Sequence, residues 1–166
     1  MSLINDFGSL YLASRLERLS EMLKKDAILV FKNELKGIKY KWYPVIYTLH
    51  KTGSLGVVEL ANELSYAHPT IIDTLREMQA ENIVKSAPGK QDNRKRILSL
   101  TAKGKRLFQQ ILPLTKAFET AVNDLIDNNN NLLLAIEEVE TRLEDESFFK
   151  KVNKILNHKN SKLKTI

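Results

Sequence analysis

Apolar residues recur along most of the chain at steps of three and four, the spacing that places side chains on one face of an α-helix. The first such face runs from Leu12 to Val30, and Gly37 is the first residue that would end it. A shorter helix is predicted over residues 40–51, with Pro44 in its opening turn, where a proline costs no hydrogen bond. This part of the sequence therefore predicts one long helix and one short helix.

Two further short helices are predicted close together. Residues 55–64 have their apolar positions on one face, and Ser54 is the predicted N-cap. Residues 68–81 follow after only three intervening residues, with Pro69 in the first turn. Two short helices joined by so brief a connection indicate a helix-turn-helix unit.

The periodicity changes after the second of these helices. Residues 83–86 and 96–100 are short strand-like segments, and the segment between them contains the turn formers Pro88 and Gly89. This pattern predicts a two-stranded β hairpin, which we call the wing (residues 83–100).

Helical periodicity returns after the wing, with Thr101 as the predicted N-cap. Its apolar face extends to Leu125, and residues 127–131 then favour a turn, because Asn and Asp bond to their own backbone. A last helix is predicted from Leu132 through Leu156, and residues 159–166 are predicted to be frayed. The fold class is therefore mainly α, with a small β wing.

Positive charge is concentrated in and just after the wing. The whole chain has 26 Lys and Arg against 20 Asp and Glu, whereas residues 84–106 carry eight basic residues against the single acid Asp92, a local net charge of +7. Such a cluster is typical of phosphate contacts with a nucleic acid, because Lys and Arg displace condensed counterions. Taken alone, the charge is explained equally well by a solvated, lysine-rich hairpin.

Several functional classes find little support in the sequence. The absence of cysteine excludes disulfides, thiolate metal sites and thiol oxidation. The three histidines are scattered, and a solvated helix face explains the acidic stretch 137–146, so we expect no enzyme, no cofactor and no metal site. No apolar run approaches bilayer length, so we expect a cytoplasmic protein without a membrane partner.

The second helix of the helix-turn-helix unit carries a polar face suited to reading DNA. Its inward face is predicted to be Ile71, Leu75 and Met78, which turns the other side chains outward. An outward arginine can donate two hydrogen bonds to guanine, and an outward proline can pack on a thymine methyl group. The candidate DNA-contacting residues on this helix are His68, Pro69, Thr70, Asp73 and Arg76. The alternative is an ordinary solvated face on which Asp73 pairs with Arg76.

The wing supplies a second set of candidate DNA contacts. Asp92 and Arg94 lie two residues apart, so on an extended hairpin they can point the same way and pair. This pairing would hold Arg94 towards the narrow minor groove, whose negative potential favours a guanidinium. The alternative is a surface ion pair with no function. The candidate wing residues are Lys90, Asp92, Asn93, Arg94, Lys95 and Arg96.

Three fragments of the sequence resemble the MarR (multiple antibiotic resistance regulator) family, in that family's order and spacing. They are Glu-Leu-Ala-Asn-Glu-Leu at 59–64, Asp-Asn-Arg at 92–94 and Leu-Ser-Leu-Thr-Ala-Lys-Gly at 98–104. The resemblance extends from Ile38 to Leu107 and implies a winged helix-turn-helix transcription regulator, a repressor, that binds double-stranded DNA as a homodimer. One departure is Asn82, where the family commonly has Gly; asparagine tolerates the left-handed backbone better than most residues.

The resemblance also implies a division of roles along one intertwined domain. The N- and C-terminal helical dimerisation region comprises residues 1–36 and 101–158, the DNA-binding region comprises residues 38–100, and a tail follows at 159–166. Two symmetric lobes would address the half-sites of a near-palindromic operator, about 34–36 Å apart.

Members of that family often sense small molecules in a cleft beside the DNA-binding lobe. Trp42, Tyr43, Tyr47 and His50 are candidates to line such a pocket, through which a small-molecule effector could release DNA; core packing is their alternative role. The alternative function is a winged-helix module that binds protein, for which an uncharged wing would be typical. Binding of single strands or RNA would call for aromatic residues interleaved with the basic ones, which this wing lacks.

Overall fold

The structure, a computed structural model, describes residues 8–89, 95–127 and 130–163, with side chains up to residue 158. The chain forms two compact units, Met1–Thr115 and Lys116–Ile166. In chain order, the elements are a 3₁₀ turn at Gly8–Tyr11, α1 (Leu12–Glu34), a second 3₁₀ turn at Tyr40–Trp42, α2 (Tyr43–Thr52), β1 (Ser54–Gly56), α3 (Val57–Glu63), α4 (His68–Ala80), β2 (Val84–Pro88), β3 (Arg96–Leu100), α5 (Ala102–Ile126), α6 (Leu132–Asp145) and α7 (Phe148–Leu163). The mainly α fold class is confirmed.

The first unit is built around one apolar core that helices and strands share. The predicted inward face of α4 is confirmed, since Ile71, Leu75 and Met78 are all buried. They are joined in the core by residues of the neighbouring elements, among them Phe31, Ile46, Leu49, Leu60, Leu98, Phe108 and Ile111. The helix-turn-helix unit is therefore held by the same core that holds the strands.

The sheet has three antiparallel strands in the order β1-β3-β2. The wing predicted from the sequence is confirmed as the pair β2 and β3, in which Val84 lies opposite Leu100 and Pro88 opposite Arg96. The hairpin is closed by the Gly89 amide, which donates to the Lys95 carbonyl at 2.8 Å. The residues between these two lie outside the described part of the chain.

The predicted N-cap at Ser54 is wrong. Ser54–Gly56 forms the third strand, β1, which pairs with β3 so that Leu55 lies opposite Leu98. Helix α3 begins only at Val57, and the Glu59 carboxylate accepts a hydrogen bond from the Gly56 amide at 2.6 Å. The extended conformation of residues 54–56 is fixed by pairing with a strand distant in sequence, so the local helical pattern did not determine it.

Both short helices of the helix-turn-helix unit end in a left-handed residue, Ser65 after α3 (φ 51°) and Asn82 after α4 (φ 53°). The amides of Asn82 and Ile83 donate back to Gln79 and Met78 at 2.9 and 2.8 Å, an arrangement that satisfies the last carbonyls of a helix. The left-handed backbone expected at Asn82 is confirmed.

The start of α5 is anchored on the turn that follows α4. The Thr101 hydroxyl donates to the Asn82 carbonyl at 2.6 Å and accepts from the Gly104 amide at 3.0 Å, which confirms Thr101 as a cap. The Thr101 amide donates to the Ile83 carbonyl at 3.0 Å. A side chain at residue 104 would have no room, because a Cβ there would lie 2.3 Å from the Ile83 carbonyl oxygen.

The second unit contains the end of α5 and two further helices. Asn131 caps α6, its side chain accepting from the Leu134 amide at 3.2 Å. The single last helix predicted from Leu132 through Leu156 is wrong, because Glu146 is extended and the chain starts a new helix at Phe148. The Ser147 hydroxyl accepts from the Lys150 amide at 3.4 Å, and a polar cap of this kind favours a helix start. Helix α7 continues to Leu163, into the segment predicted to be frayed.

Replacing Gly104 with Ala is expected to lower the free energy of unfolding by about 1 to 3 kcal/mol, since the new Cβ would collide with the Ile83 carbonyl. The shift in the urea midpoint measures the loss. The matched control is Gln109→Ala at an exposed position of the same helix, expected to change stability by less than about 0.5 kcal/mol. Equal stability of the two variants would contradict the close approach of α5 to the turn.

Candidate nucleic-acid interface

Helix α4 presents all five of its candidate DNA-contacting residues to the outside. They are exposed, whereas the opposite side of the helix is buried: His68, Pro69, Thr70, Asp73 and Arg76. The buried side includes Thr74 in addition to the three apolar residues predicted there. The helix is therefore fixed to the core on one face and free to meet a partner on the other.

A cleft of about 290 Å³ lies between α4 and the β strands. Ile72, Arg76 and Gln79 line it from the helix, and Ser86 and Arg96 line it from the wing. Two arginines that are twenty residues apart in the sequence thus border one cleft. Helix α4 and the described base of the wing therefore share one surface cleft.

Each of these two arginines has a polar partner that orients it. The Arg76 guanidinium donates to the Asp73 carboxylate at 3.1 Å, and the Arg96 Nε donates to the Ser86 hydroxyl at 3.1 Å. The Arg76 side chain remains 76% exposed, so the ion pair contributes at most about 1 kcal/mol to stability. The pairing that the sequence offered as an alternative to DNA contact therefore exists, and it leaves the arginine accessible.

The wing is described at its base only. Lys95 and Arg96 are exposed there. Lys90, Asp92, Asn93 and Arg94 lie outside the described residues, so the Asp92–Arg94 pair and its contact with a minor groove stay predictions.

A partly exposed edge of α4 carries a charged network that was not predicted from the sequence. The Glu77 carboxylate accepts from Lys39 at 2.9 Å, from Lys41 at 2.6 Å and from the Trp42 indole at 3.4 Å. The hydrogen bonds from Lys41 and Lys39 lower the pKa of Glu77 to about 2, against an ordinary 4.5. This bridge ties α4 to the turn that precedes α2, across more than thirty residues of sequence.

The four candidate pocket residues make packing contacts within the first unit. Trp42 is buried and donates to Glu77, Tyr43 and Tyr47 are half-buried with ring centroids 5.9 Å apart, and His50 stacks on Phe108 at 3.6 Å. These contacts agree with the alternative of core packing, and a role in ligand binding stays a prediction.

A separate groove of about 520 Å³ lies at the end of α1, with Phe31, Ile38 and Tyr40 among its lining residues. None of the four candidate pocket residues belongs to that lining. In the described ranges, no group of three or more His, Asp or Glu side chains is placed to hold a metal ion. The described helices include none whose length and apolar character suit a membrane span.

A family model for HxlR-like helix-turn-helix proteins matches residues 37–124. The match covers the helix-turn-helix unit, the wing and nearly all of α5. No curated protein matches the sequence.

Solved structures with the same fold include regulators and a DNA complex. A MarR family transcriptional regulator from Silicibacter pomeroyi is 22% identical, with a TM-score of 0.65 over 86% of this chain and 92% of that one. The S. aureus MepR–DNA complex is 15% identical, with a TM-score of 0.67 over 81% and 97%. The PcaV transcriptional regulator from Streptomyces coelicolor, bound to its natural ligand, is 15% identical, with a TM-score of 0.62 over 84% and 94%. The predicted MarR-type winged-helix architecture is confirmed.

The Glu77 bridge is expected to make stability depend on pH. A carboxyl group whose pKa is lower in the folded chain than in the unfolded chain stabilises the fold. This stabilisation is complete above the unfolded pKa of 4.5 and is lost as the pH falls towards about 2. Urea unfolding of the wild type and of Glu77→Gln at several pH values measures the effect. The stability difference between them is expected to be constant above pH 4.5 and to shrink below it. A difference that does not change across this range would contradict the bridge.

Proposed function

Because this chain belongs to the HxlR-like helix-turn-helix family, we propose that it is a transcription regulator that binds double-stranded DNA through α4 and the wing. The observation that carries the proposal is the cleft bordered by Arg76 and Arg96. A helix that presents an exposed arginine can enter the major groove, and a basic hairpin beside it can follow the backbone. The MepR complex with DNA has the same fold.

We propose that the DNA-bound form is a homodimer built from the N- and C-terminal helices. The inner face predicted for α1 is not buried within the chain, since Leu12, Leu16, Leu19 and Leu23 are between 40% and 49% exposed. Leu133, Leu134, Val139 and Leu143 of α6 are exposed to a similar extent. Apolar stripes of this length favour an isologous interface, in which a second copy covers them.

The symmetry of the dimer bears on the operator. A dimer presents two copies of the helix and wing, so it favours a near-palindromic operator with half-sites about 34–36 Å apart. We propose that the protein acts as a repressor, through an operator whose occupation blocks transcription. The structure of PcaV contains its natural ligand. We propose that a small-molecule effector releases the present chain from DNA.

The first prediction for this function concerns the two arginines of the cleft. Arg76→Ala and Arg96→Ala are each expected to weaken binding to the protein's own upstream DNA by about 1 to 3 kcal/mol. Fluorescence anisotropy over several salt concentrations, with random duplex as competitor, measures this loss. Arg76→Ala is expected to lose sequence preference as well, because a contact with a base edge distinguishes between sequences and a contact with a phosphate does not.

The matched control is Arg142→Ala, which removes an arginine from α6 and is expected to leave affinity unchanged. Affinity that is insensitive to both cleft variants would contradict the assigned surface. A wild-type protein that passes through a duplex column at low salt would favour the alternative, a winged-helix module that binds protein.

The second prediction concerns the dimer. Light scattering is expected to give a mass twice the 19.0 kDa of one chain. Joint replacement of Leu16 and Leu23 by Lys is expected to yield a monomer, because it places two charges on the proposed interface. Ser14→Lys lies about half a turn from Leu16 and is the control, expected to remain dimeric. A wild type that runs as a monomer would refute the interface.

A further inference from the structure

Asp73 and Arg76 occupy the outermost part of α4. Their side chains are 68% and 76% exposed, and their positions in the helix place both opposite the buried Ile71 and Met78. A helix that enters a major groove with this side outward brings the two side chains to the edges of the bases.

The negative charge of Asp73 is unfavourable for contact with the DNA backbone, because a carboxylate repels phosphates. At the base edges the same group has a specific partner. An ionised carboxylate only accepts hydrogen bonds, and the amino group of cytosine presents a donor in the major groove. Asp73 is therefore suited to reading a base and unsuited to holding the backbone.

The ion pair between the two side chains sets a donor beside an acceptor. Arg76 Nη1 donates to Asp73 Oδ1 at 3.1 Å, and the second carboxylate oxygen and the other guanidinium N–H groups can turn towards a base pair. In the major groove, a G·C pair presents the N7 and O6 acceptors of guanine and then the amino donor of cytosine. O6 and that amino nitrogen are hydrogen-bonded to each other, at about 2.9 Å. The ion pair and the base pair therefore match in order and in spacing.

We propose that Asp73 and Arg76 together read one G·C base pair in each half-site. Arg76 donates to N7 and O6 of guanine, and Asp73 accepts from the amino group of cytosine. This inference rests on the proposed function and names the base pair that the same surface selects.

Asp73 fixes the orientation of the selected pair. An inverted C·G pair sets Arg76 against the amino donor and Asp73 against an acceptor, so both contacts become repulsive. A T·A pair keeps the order of acceptor and donor, but it offers Arg76 only O4, next to the thymine methyl group. The expected order of affinity is therefore G·C, then T·A, then C·G, where the first base faces Arg76.

The test starts from selection on a duplex library with a randomised central segment. The base pair in question is the one whose preference is lost in Arg76→Ala. Duplexes that differ only at this pair, in one half-site, are then compared by fluorescence anisotropy. The wild type is expected to bind the G·C duplex at least about tenfold more tightly than the C·G duplex, with the T·A duplex between them.

Two variants of Asp73 isolate its contribution. Asp73→Ala is expected to reduce the preference for G·C over C·G at least about threefold. Its affinity for random duplex is expected to rise about two- to fivefold, since a charge that repels phosphates is removed. Asp73→Asn keeps the size of the side chain but lets it donate, so it is expected to reduce the same preference. Circular dichroism confirms that the variants are folded.

The matched control is Glu21→Ala on α1. Glu21 pairs with Lys24 three residues away, also at 3.1 Å, so the control removes an acid from an ion pair of the same spacing and length. It is expected to change neither the preference for G·C nor the affinity for random duplex.

The inference and the proposed function fail on different results. A wild type that binds no duplex refutes the function. A wild type that binds its own upstream DNA, but selects a pair other than G·C at the position that depends on Arg76, leaves the function and overturns the inference. An unchanged preference for G·C over C·G in Asp73→Ala also overturns it.

Discussion

The Ile83 carbonyl fixes the geometry on which the rest of the first unit depends. It accepts from the Thr101 amide, and its closeness to Gly104 leaves no room for a side chain there. The Ile83 amide donates to Met78 in the last turn of α4. One residue, Ile83, therefore links the end of α4, the start of β2 and the start of α5. Because all three elements meet at this residue, its hydrogen bonds place the exposed face of α4 beside the wing, on either side of their cleft.

Helical faces could be predicted from the sequence because they repeat locally. The inward side of α4, the cap at Thr101 and the left-handed Asn82 all depend on residues within a few positions of one another. Strand β1 could not be predicted in this way, since three residues are too few for an alternating pattern and its partner lies more than forty residues away. The break at Glu146 was also not predicted, because the apolar spacing continues across it.

The charged network at Glu77, beside the candidate site, also could not be predicted from local sequence patterns. The sequence places Glu77 on a helix with outward Asp73 and Arg76, which suggests one more solvated acid. Its actual partners, Lys39 and Lys41, lie 38 and 36 residues away, and only the tertiary fold brings them within hydrogen-bonding distance. The groove beside these lysines was missed for the same reason. The aromatic residues proposed for a pocket were conspicuous in the sequence, yet Tyr43 packs on Tyr47, His50 stacks on Phe108 and Trp42 is buried.

The position of β3 at the centre of the sheet restricts how the hairpin can vary in length. Its residues are paired on both sides, with Leu98 opposite Leu55 on one edge and Ser86 on the other. An insertion or deletion of one residue within 96–100 would turn Leu98 and Leu100 out of the core and break both pairings at once. A change in the length of the hairpin that keeps both pairings must therefore fall between Gly89 and Lys95, beyond the last paired residues of β2 and β3.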